Sequence, residues 1–287
     1  MLRIFDLCYP YVNFIIHLLT IELKTLFILL LMLVNFAVHS QGELDALLAT
    51  TADGASRKMQ AKEQLNKFVQ PLATSRLSEQ KLLRKTFRRL HSTLLKKYEA
   101  YSDFDEIFSS GRYDCLTATA LFSQVLNQLN FSYKIIETNY HIFLLVQTAS
   151  GEVLLETTDR FGGFITDKEA VAQRTSDYSK NVLTVENSKR FFYHYSFNLY
   201  QNLSPEKLTG LLYFNQAVKA YNRHEWLSSA RFLEQANALY ASPRCEALGT
   251  ILIKTVLEGS LEEKAKSDCL VHLKNFWIKK SETVASN

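Results

Sequence analysis

One stretch of the sequence constrains the fold most: a helical pattern that passes directly into three short β-like runs. A helix is predicted from Cys115 to Leu129, with Asp114 able to cap its start and Asn130 as a left-handed terminator. The runs that follow are Ser132–Thr138, Tyr140–Gln147 and Glu152–Thr158. The short Ala149-Ser150-Gly151 link predicts that the last two form an antiparallel hairpin. A helix followed by strands of one sheet predicts an α+β fold.

Other regions give weaker structural patterns. The apolar spacing predicts helices from Glu43 to about Tyr101, separated at Pro71, and a loop over Ser102–Tyr113. Residues 164–187 are polar and poorly periodic, so they support no assignment. A further strand is predicted over Phe191–Leu199, and helices from Ser204 to about Lys280.

The amino-terminal segment has the layout of an export signal. Lys24 precedes an apolar run, Thr25–Val38, and small or polar residues follow it, which predicts cleavage after Ser40. The run is shorter than the roughly 20 residues that cross a bilayer. A second apolar patch in residues 1–22 leaves a membrane anchor open as the alternative. We therefore expect an exported protein, periplasmic or associated with the cell envelope, with membrane contact only if the segment stays uncleaved.

Composition limits the class of protein. The chain is 47% hydrophobic and 22% charged, which is typical of folded proteins. A net charge of +4 over 287 residues does not indicate a nucleic-acid binder. We divide the chain into a signal or anchor (1–40), a helical lead-in (41–95), a core (96–205) and a helical tail (206–287).

Cys115 and His141 are candidates for cysteine chemistry. A thiol nucleophile needs a base and an acceptor that orients the base. Cys115 falls in the first turn of its helix, where free N–H groups and the dipole favour thiolate, although Asp114 opposes this. His141 starts the second β-like run. The carboxylate that would orient His141 depends on the hairpin register. A loop of two or four residues places Glu156 on the same sheet face as His141, and a loop of three places Asp159 directly opposite it.

These residues also carry a family resemblance over roughly Asp103–Gly163. Gly111-Arg112-Tyr113-Asp114-Cys115, the helix behind it, His141 and Leu155-Glu156-Thr157-Thr158 resemble the transglutaminase-like superfamily of bacterial, papain-like cysteine hydrolases. The resemblance implies Cys115 as nucleophile, His141 as base, and Glu156 where the family has the Asp of an Asp-Pro-Thr triplet. The sequence departs from the family at Thr157, in place of Pro, and at Phe143, in place of Trp.

The tail resembles a tetratricopeptide repeat. Gly210–Pro243 follows its order of large and small residues, with a turn near Asn222–Glu225, and a fainter helix pair spans Arg244–Lys280. Such units need neighbours, so the tail is expected to dock on the core or on a protein partner. Cys245 and Cys269 fall on successive tail helices, and their pairing stays open.

Two functions follow as competing hypotheses. The first is an exported cysteine hydrolase or acyltransferase that acts on an amide in a peptide, protein or cell-wall-like substrate. The second is a catalytically inactive binding or scaffold protein that uses its tail to hold a partner. No cofactor is expected, and no compact His/Cys spacing of the zinc type predicts a metal site.

Overall fold

The computed structural model describes residues 42–51, 55–180 and 199–285. The predicted signal segment and its cleavage site lie outside the described residues. Glu43–Asn287 forms one compact unit. Within the described ranges, no helix has both the length and the apolar character needed to cross a membrane.

Three helices open the described chain: α1 (residues 42–49), α2 (Ala55–Ala73) and α3 (Glu79–Thr93). α3 is amphipathic and buries Leu83, Phe87 and Leu90 in the core. The prediction that Pro71 separates two helices is wrong in position, because Pro71 lies inside α2. The missing N–H of proline costs one helical bond, and the helix ends only two residues later, at Ala73.

The segment before Cys115 contains short elements that the sequence did not predict. β1 (Lys97–Tyr98) pairs in parallel with β2 (Arg112–Tyr113), and α4 (Glu106–Ser109) lies between them. The helix predicted to run to about Tyr101 is therefore wrong beyond the end of α3 at Thr93. The loop predicted over Ser102–Tyr113 is wrong where α4 and β2 form. Strands of two residues are too short to leave an alternating apolar pattern.

A five-stranded antiparallel sheet lies at the centre of the described chain. Its strands are β3 (Tyr133–Thr138), β4 (Ile142–Thr148), β5 (Gly151–Leu155), β6 (Phe164–Ile165) and β7 (Tyr200–Leu203), in the order β6-β5-β4-β3-β7. The helix α5 (Cys115–Gln128) shares the core of one sheet face, and Asn130 has a φ of +58°, as predicted. The fold is α+β.

The second sheet face is covered by a helix that the sequence left unassigned. Phe143, Leu145 and Leu154 pack with Val171 of α6 (Lys168–Ser179), so residues on both sides of β4 and β5 are buried. α6 is largely polar and presents one buried residue, Val171, which is why no periodicity revealed it. Of the strand predicted over Phe191–Leu199, residues 191–198 lie outside the described residues, and the described strand is β7.

The tail consists of α7 (Pro205–Asn222), α8 (Trp226–Leu239), α9 (Pro243–Glu258) and α10 (Glu263–Ala285). The predicted turn between the first two helices falls at residues 223–225. The tail docks on the core, because Leu208, Leu211, Leu212 and Tyr240 share one hydrophobic cluster with α5. Cys245 and Cys269 are buried free thiols in a separate cluster of the tail.

Candidate active site

The site begins at the amino terminus of α5, where Cys115 is the first helical residue. Asp114 and Thr117 form a capping box: the Thr117 N–H donates to Asp114 Oδ1 at 2.8 Å, and the Asp114 N–H donates to Thr117 Oγ1 at 2.8 Å. Burial raises the pKa of the Asp114 carboxyl to about 6, against the lowering effect of these hydrogen bonds. The cap fixes the helix tip, so it also fixes the position of Cys115.

His141 immediately precedes β4 and is held by the end of β3. The His141 N–H donates to Thr138 Oγ1 at 3.0 Å, and the His141 carbonyl accepts from the Thr138 N–H at 2.8 Å. These bonds close the bend at residues 139–140. The imidazole is therefore carried by a tight, strand-to-strand connection rather than by a long loop.

Glu156 follows β5 and reaches the imidazole. Thr148 pairs with Gly151, so the β4–β5 loop has two residues, Ala149 and Ser150. This register places Glu156 on the same sheet face as His141, and Glu156 Oε2 hydrogen-bonds to His141 Nε2. Nδ1 is then the ring nitrogen left for the thiol, and Cys115 and His141 line the same pocket.

Asp159 does not join this group. Its Oδ1 accepts from the N–H groups of Phe161, at 3.0 Å, and Gly162, at 2.9 Å, and the residue is exposed. Asp159 therefore closes a turn beyond β5, because the two-residue hairpin loop excludes the register that would place it opposite His141. The alternative acid of the sequence analysis is corrected accordingly.

The three grouped side chains are electrostatically coupled. Burial disfavours the charged imidazole of His141, but the Glu156 carboxylate, which accepts a hydrogen bond from the ring, and the neighbouring Cys115 outweigh it and raise the pKa of His141 to about 10. Burial likewise acts to raise the pKa of Glu156, yet the attraction of His141 lowers it overall. The geometry therefore favours imidazolium beside carboxylate at neutral pH.

Tyr178 of α6 packs against His141, the partner of Glu156. Its ring centroid lies 5.4 Å from that of His141 and 4.8 Å from that of Phe143. Its hydroxyl acts to lower the pKa of the Glu156 carboxyl, and Arg174 Nη1 donates to that hydroxyl at 3.4 Å. Phe143 stacks near His141, with ring centroids 6.4 Å apart.

The end of β5 is attached directly to α5. The Thr157 and Thr119 hydroxyls hydrogen-bond at 3.0 Å, and the Thr157 hydroxyl also donates to the Cys115 carbonyl at 3.5 Å. Both threonines are fully buried. Thr157 thus holds the end of β5 against the first turns of α5.

A pocket of about 60 Å³ opens beside Cys115 and His141. Core residues form part of its lining, and the tail contributes Leu211, Phe214 and Asn215 from α7 and Arg244 from α9. Asn215 Nδ2 donates to Asp114 Oδ2 at 2.9 Å. The tail therefore contacts the cap of the nucleophile helix.

Glu137 of β3 is the acidic residue that lines this pocket, and it is 1% exposed. It forms an ion pair with Arg244, with Nε and Oε1 3.0 Å apart, and it accepts a 2.5 Å hydrogen bond from the Tyr240 hydroxyl. Burial raises the pKa of Glu137, against the opposing effect of Arg244. These contacts attach α8 and α9 to the sheet.

Sequence reasoning missed Tyr178, Asn215, Glu137 and Arg244. Their partners are between 22 and 107 residues away in the chain, as the pairs Glu156–Tyr178 and Glu137–Arg244 illustrate. Only Glu137 left a signal, because an acidic residue within the apolar run of β3 is unusual. Within the described ranges, no group of His, Cys, Asp and Glu side chains has an arrangement that could hold a metal ion.

Comparisons with known proteins add little. No protein-family model matches the chain, and no curated protein matches it. A crystal structure of menin, which reveals the binding site for the Mixed Lineage Leukemia (MLL) protein, is similar with a TM-score of 0.31 and 11% identity. The match covers 85% of this chain and 61% of that chain, so this chain spans less than two thirds of menin's length.

Proposed function

We propose that this protein is a transglutaminase-like cysteine hydrolase or acyltransferase that acts on an amide of a peptide, protein or cell-wall-like substrate. The observation that carries the proposal is the His141–Glu156 hydrogen bond beside Cys115, the first residue of α5, with Cys115 and His141 lining one pocket. Thiol catalysis uses a nucleophile, a base and an acid that orients the base, and we assign these roles to Cys115, His141 and Glu156. Their order along the chain is that of the transglutaminase-like superfamily.

In this mechanism Cys115 Sγ attacks the amide carbonyl carbon, and the C–N bond breaks as the imidazolium of His141 gives its proton to the leaving amine. The resulting thioester is attacked by water, whose proton passes to His141, and the acid product and the free thiol are released. An amine in place of water gives transfer. Glu156 keeps the imidazole oriented and favours its charged form.

The oxyanion of each tetrahedral intermediate needs N–H donors. Asp114 accepts a hydrogen bond from the Thr117 N–H, and the Leu116 N–H also acts on this carboxylate by lowering its pKa. The Cys115 N–H is therefore the candidate that the first turn of α5 contributes to an oxyanion hole.

Alkylation of Cys115 tests the proposal without a known substrate. In folded protein near neutral pH, iodoacetamide should modify Cys115, located by peptide mass spectrometry, while buried Cys245 and Cys269 serve as internal references. His141→Ala and Glu156→Gln should slow the reaction by at least about tenfold. Asp159→Asn is the matched control and should leave the rate unchanged. Equal rates in all four proteins would refute the proposal.

A second candidate is a catalytically inactive binding protein. The observation that favours it is the position of the tail, whose α7 and α9 residues line the pocket beside Cys115. A folded protein whose Cys115 does not react, and which retains a partner through α7–α10, would support this function instead.

We also propose that the protein is exported and acts in the periplasm or cell envelope, on the basis of the Thr25–Val38 pattern. Mass spectrometry of the mature amino terminus is the test. A terminus at Gln41 supports cleavage, and peptides from residues 24–40 in the mature protein would contradict it.

A further inference from the structure

We propose that α7 and α9 form a fixed wall of the pocket at Cys115, and that this wall restricts the acyl group at the thiol to a small, uncharged one. The inference rests on the proposed function, because it concerns the substrate of the same site. It assigns the tail a direct part in substrate selection.

The residues that line the pocket come from two parts of the chain, the core and the tail. Leu116, Tyr140 and Ile142 come from the core, next to Cys115 and His141. Leu211, Phe214, Asn215 and Arg244 come from the tail. A volume of about 60 Å³ is well below the roughly 150 Å³ of a cavity that holds benzene, so the pocket accommodates a short aliphatic group better than an aromatic ring.

The tail side of the pocket is held in place by packing and polar contacts. Leu211 and Phe214 are 5% and 6% exposed, so both are already packed in hydrophobic clusters. Asn215 is fixed by its 2.9 Å bond to Asp114, and Arg244 by Glu137 and the Thr138 carbonyl. Enlarging the pocket would therefore require breaking contacts that also hold the tail on the core.

The charges of the pocket argue against a charged acyl group. The charged side chains at the pocket are already paired, Glu137 with Arg244, at 1% and 16% side-chain exposure, and His141 with Glu156. A charged substituent would enter beside these pairs without a counter-ion of its own, and it would lose its hydration. An uncharged group avoids that cost, and the apolar side chains Leu116, Ile142 and Leu211 favour it.

The test compares two thiol reagents with the same reactive group and different size, N-methylmaleimide and N-phenylmaleimide. The rate ratio at Cys115 is divided by the ratio for glutathione, which has no pocket. The wild-type protein should prefer the methyl reagent by about tenfold or more. Leu211→Ala and the milder Phe214→Leu should each reduce that preference by at least about threefold. Leu212→Ala, a buried residue of the same helix that does not line the pocket, should leave it unchanged.

A wild-type preference equal to that of glutathione, or one that neither pocket variant alters while circular dichroism shows folded protein, would overturn the inference. The size preference and the effect of His141→Ala on the alkylation rate distinguish failure of this inference from failure of the proposed function. If His141→Ala slows alkylation but the size preference is absent, the wall fails and the hydrolase proposal survives. If the size preference is present but His141→Ala does not slow alkylation, the wall stands and the catalytic proposal fails.

Discussion

At the scale of single residues, burial makes His91 of α3 sensitive to pH. It is 1% exposed, and neither ring nitrogen has a hydrogen-bond partner among the described residues. Burial and the nearby Arg160 lower the pKa of His91 to about 4, and Asp159 opposes this only in part. His91 is therefore neutral in the folded core, packed 4.7 Å from the ring of Phe87.

This predicts a loss of stability in weak acid. As pH falls from about 6.5 to about 4, the unfolded chain binds a proton at His91 and the folded chain does not. The free energy of unfolding should fall by up to about 3 kcal/mol across that range. His91→Leu should remove most of this dependence, as measured by urea denaturation between pH 4 and pH 7.5. A wild-type curve that His91→Leu does not flatten would contradict the assignment.

Several site residues could be predicted from the sequence for local reasons, and others could not. Asp114, Cys115 and His141 sit at the ends of elements whose patterns are strong. The choice between Glu156 and Asp159 depended on the β4–β5 loop length, which Ala149-Ser150-Gly151 leaves open in sequence and the register fixes at two residues. Tyr178 was out of reach, because α6 has almost no apolar periodicity.

At the scale of elements, the contact between the sheet and the tail depends on buried charge. Glu137 of β3 and Arg244 of α9 are joined across the interface, and Tyr240 adds a hydrogen bond to the same carboxylate. Arg244→Leu should leave the buried Glu137 without its counter-ion and reduce the free energy of unfolding by about 3 to 5 kcal/mol.

A double variant provides the control for that prediction. Glu137→Gln combined with Arg244→Leu should recover part of the loss, because the buried charge is then absent. Both are compared by chemical denaturation at pH 7. Additive losses in the double variant would show that the two residues do not act as a pair.

A second contact between elements joins α7 to the cap of α5. Asn215→Ala removes the 2.9 Å hydrogen bond to the buried Asp114, which should cost about 1 to 3 kcal/mol of stability. Alkylation of Cys115 should also slow, because the cap positions the helix tip. Asn222→Ala, an exposed position at the end of α7, is the matched control and should change stability by less than about 0.5 kcal/mol. Equal effects of the two variants would refute the contact's role.

At the scale of the whole molecule, core and tail share one hydrophobic interior. Leu208, Leu211, Leu212 and Tyr240 of the tail pack in the same cluster as Leu121 and Phe122 of α5. At roughly 1.5 to 3 kcal/mol for each buried apolar side chain, these tail residues contribute an amount comparable to the total stability of a typical domain. The boundary predicted between residues 205 and 206 therefore separates segments of sequence rather than independent folding units.

Truncation tests that statement. A chain that ends at Leu203 should lose cooperative thermal unfolding and bind a hydrophobic dye, because it exposes the surface that α7 and α8 cover. The chain with its tail should unfold in one transition in calorimetry. A truncated chain that unfolds cooperatively near the same temperature would show that the tail is only an attachment.

The protonation of His141 tests the central claim most directly. Nuclear magnetic resonance of its ring in ¹⁵N-histidine-labelled protein, assigned with His141→Ala, follows the charge of the imidazole as pH rises. Because the hydrogen-bonded Glu156 carboxylate and the neighbouring Cys115 together outweigh the burial of the ring, its pKa should lie near 10, and Glu156→Gln should lower it. A ring that titrates near 6.5 in the wild type, and that Glu156→Gln does not shift, would contradict the account.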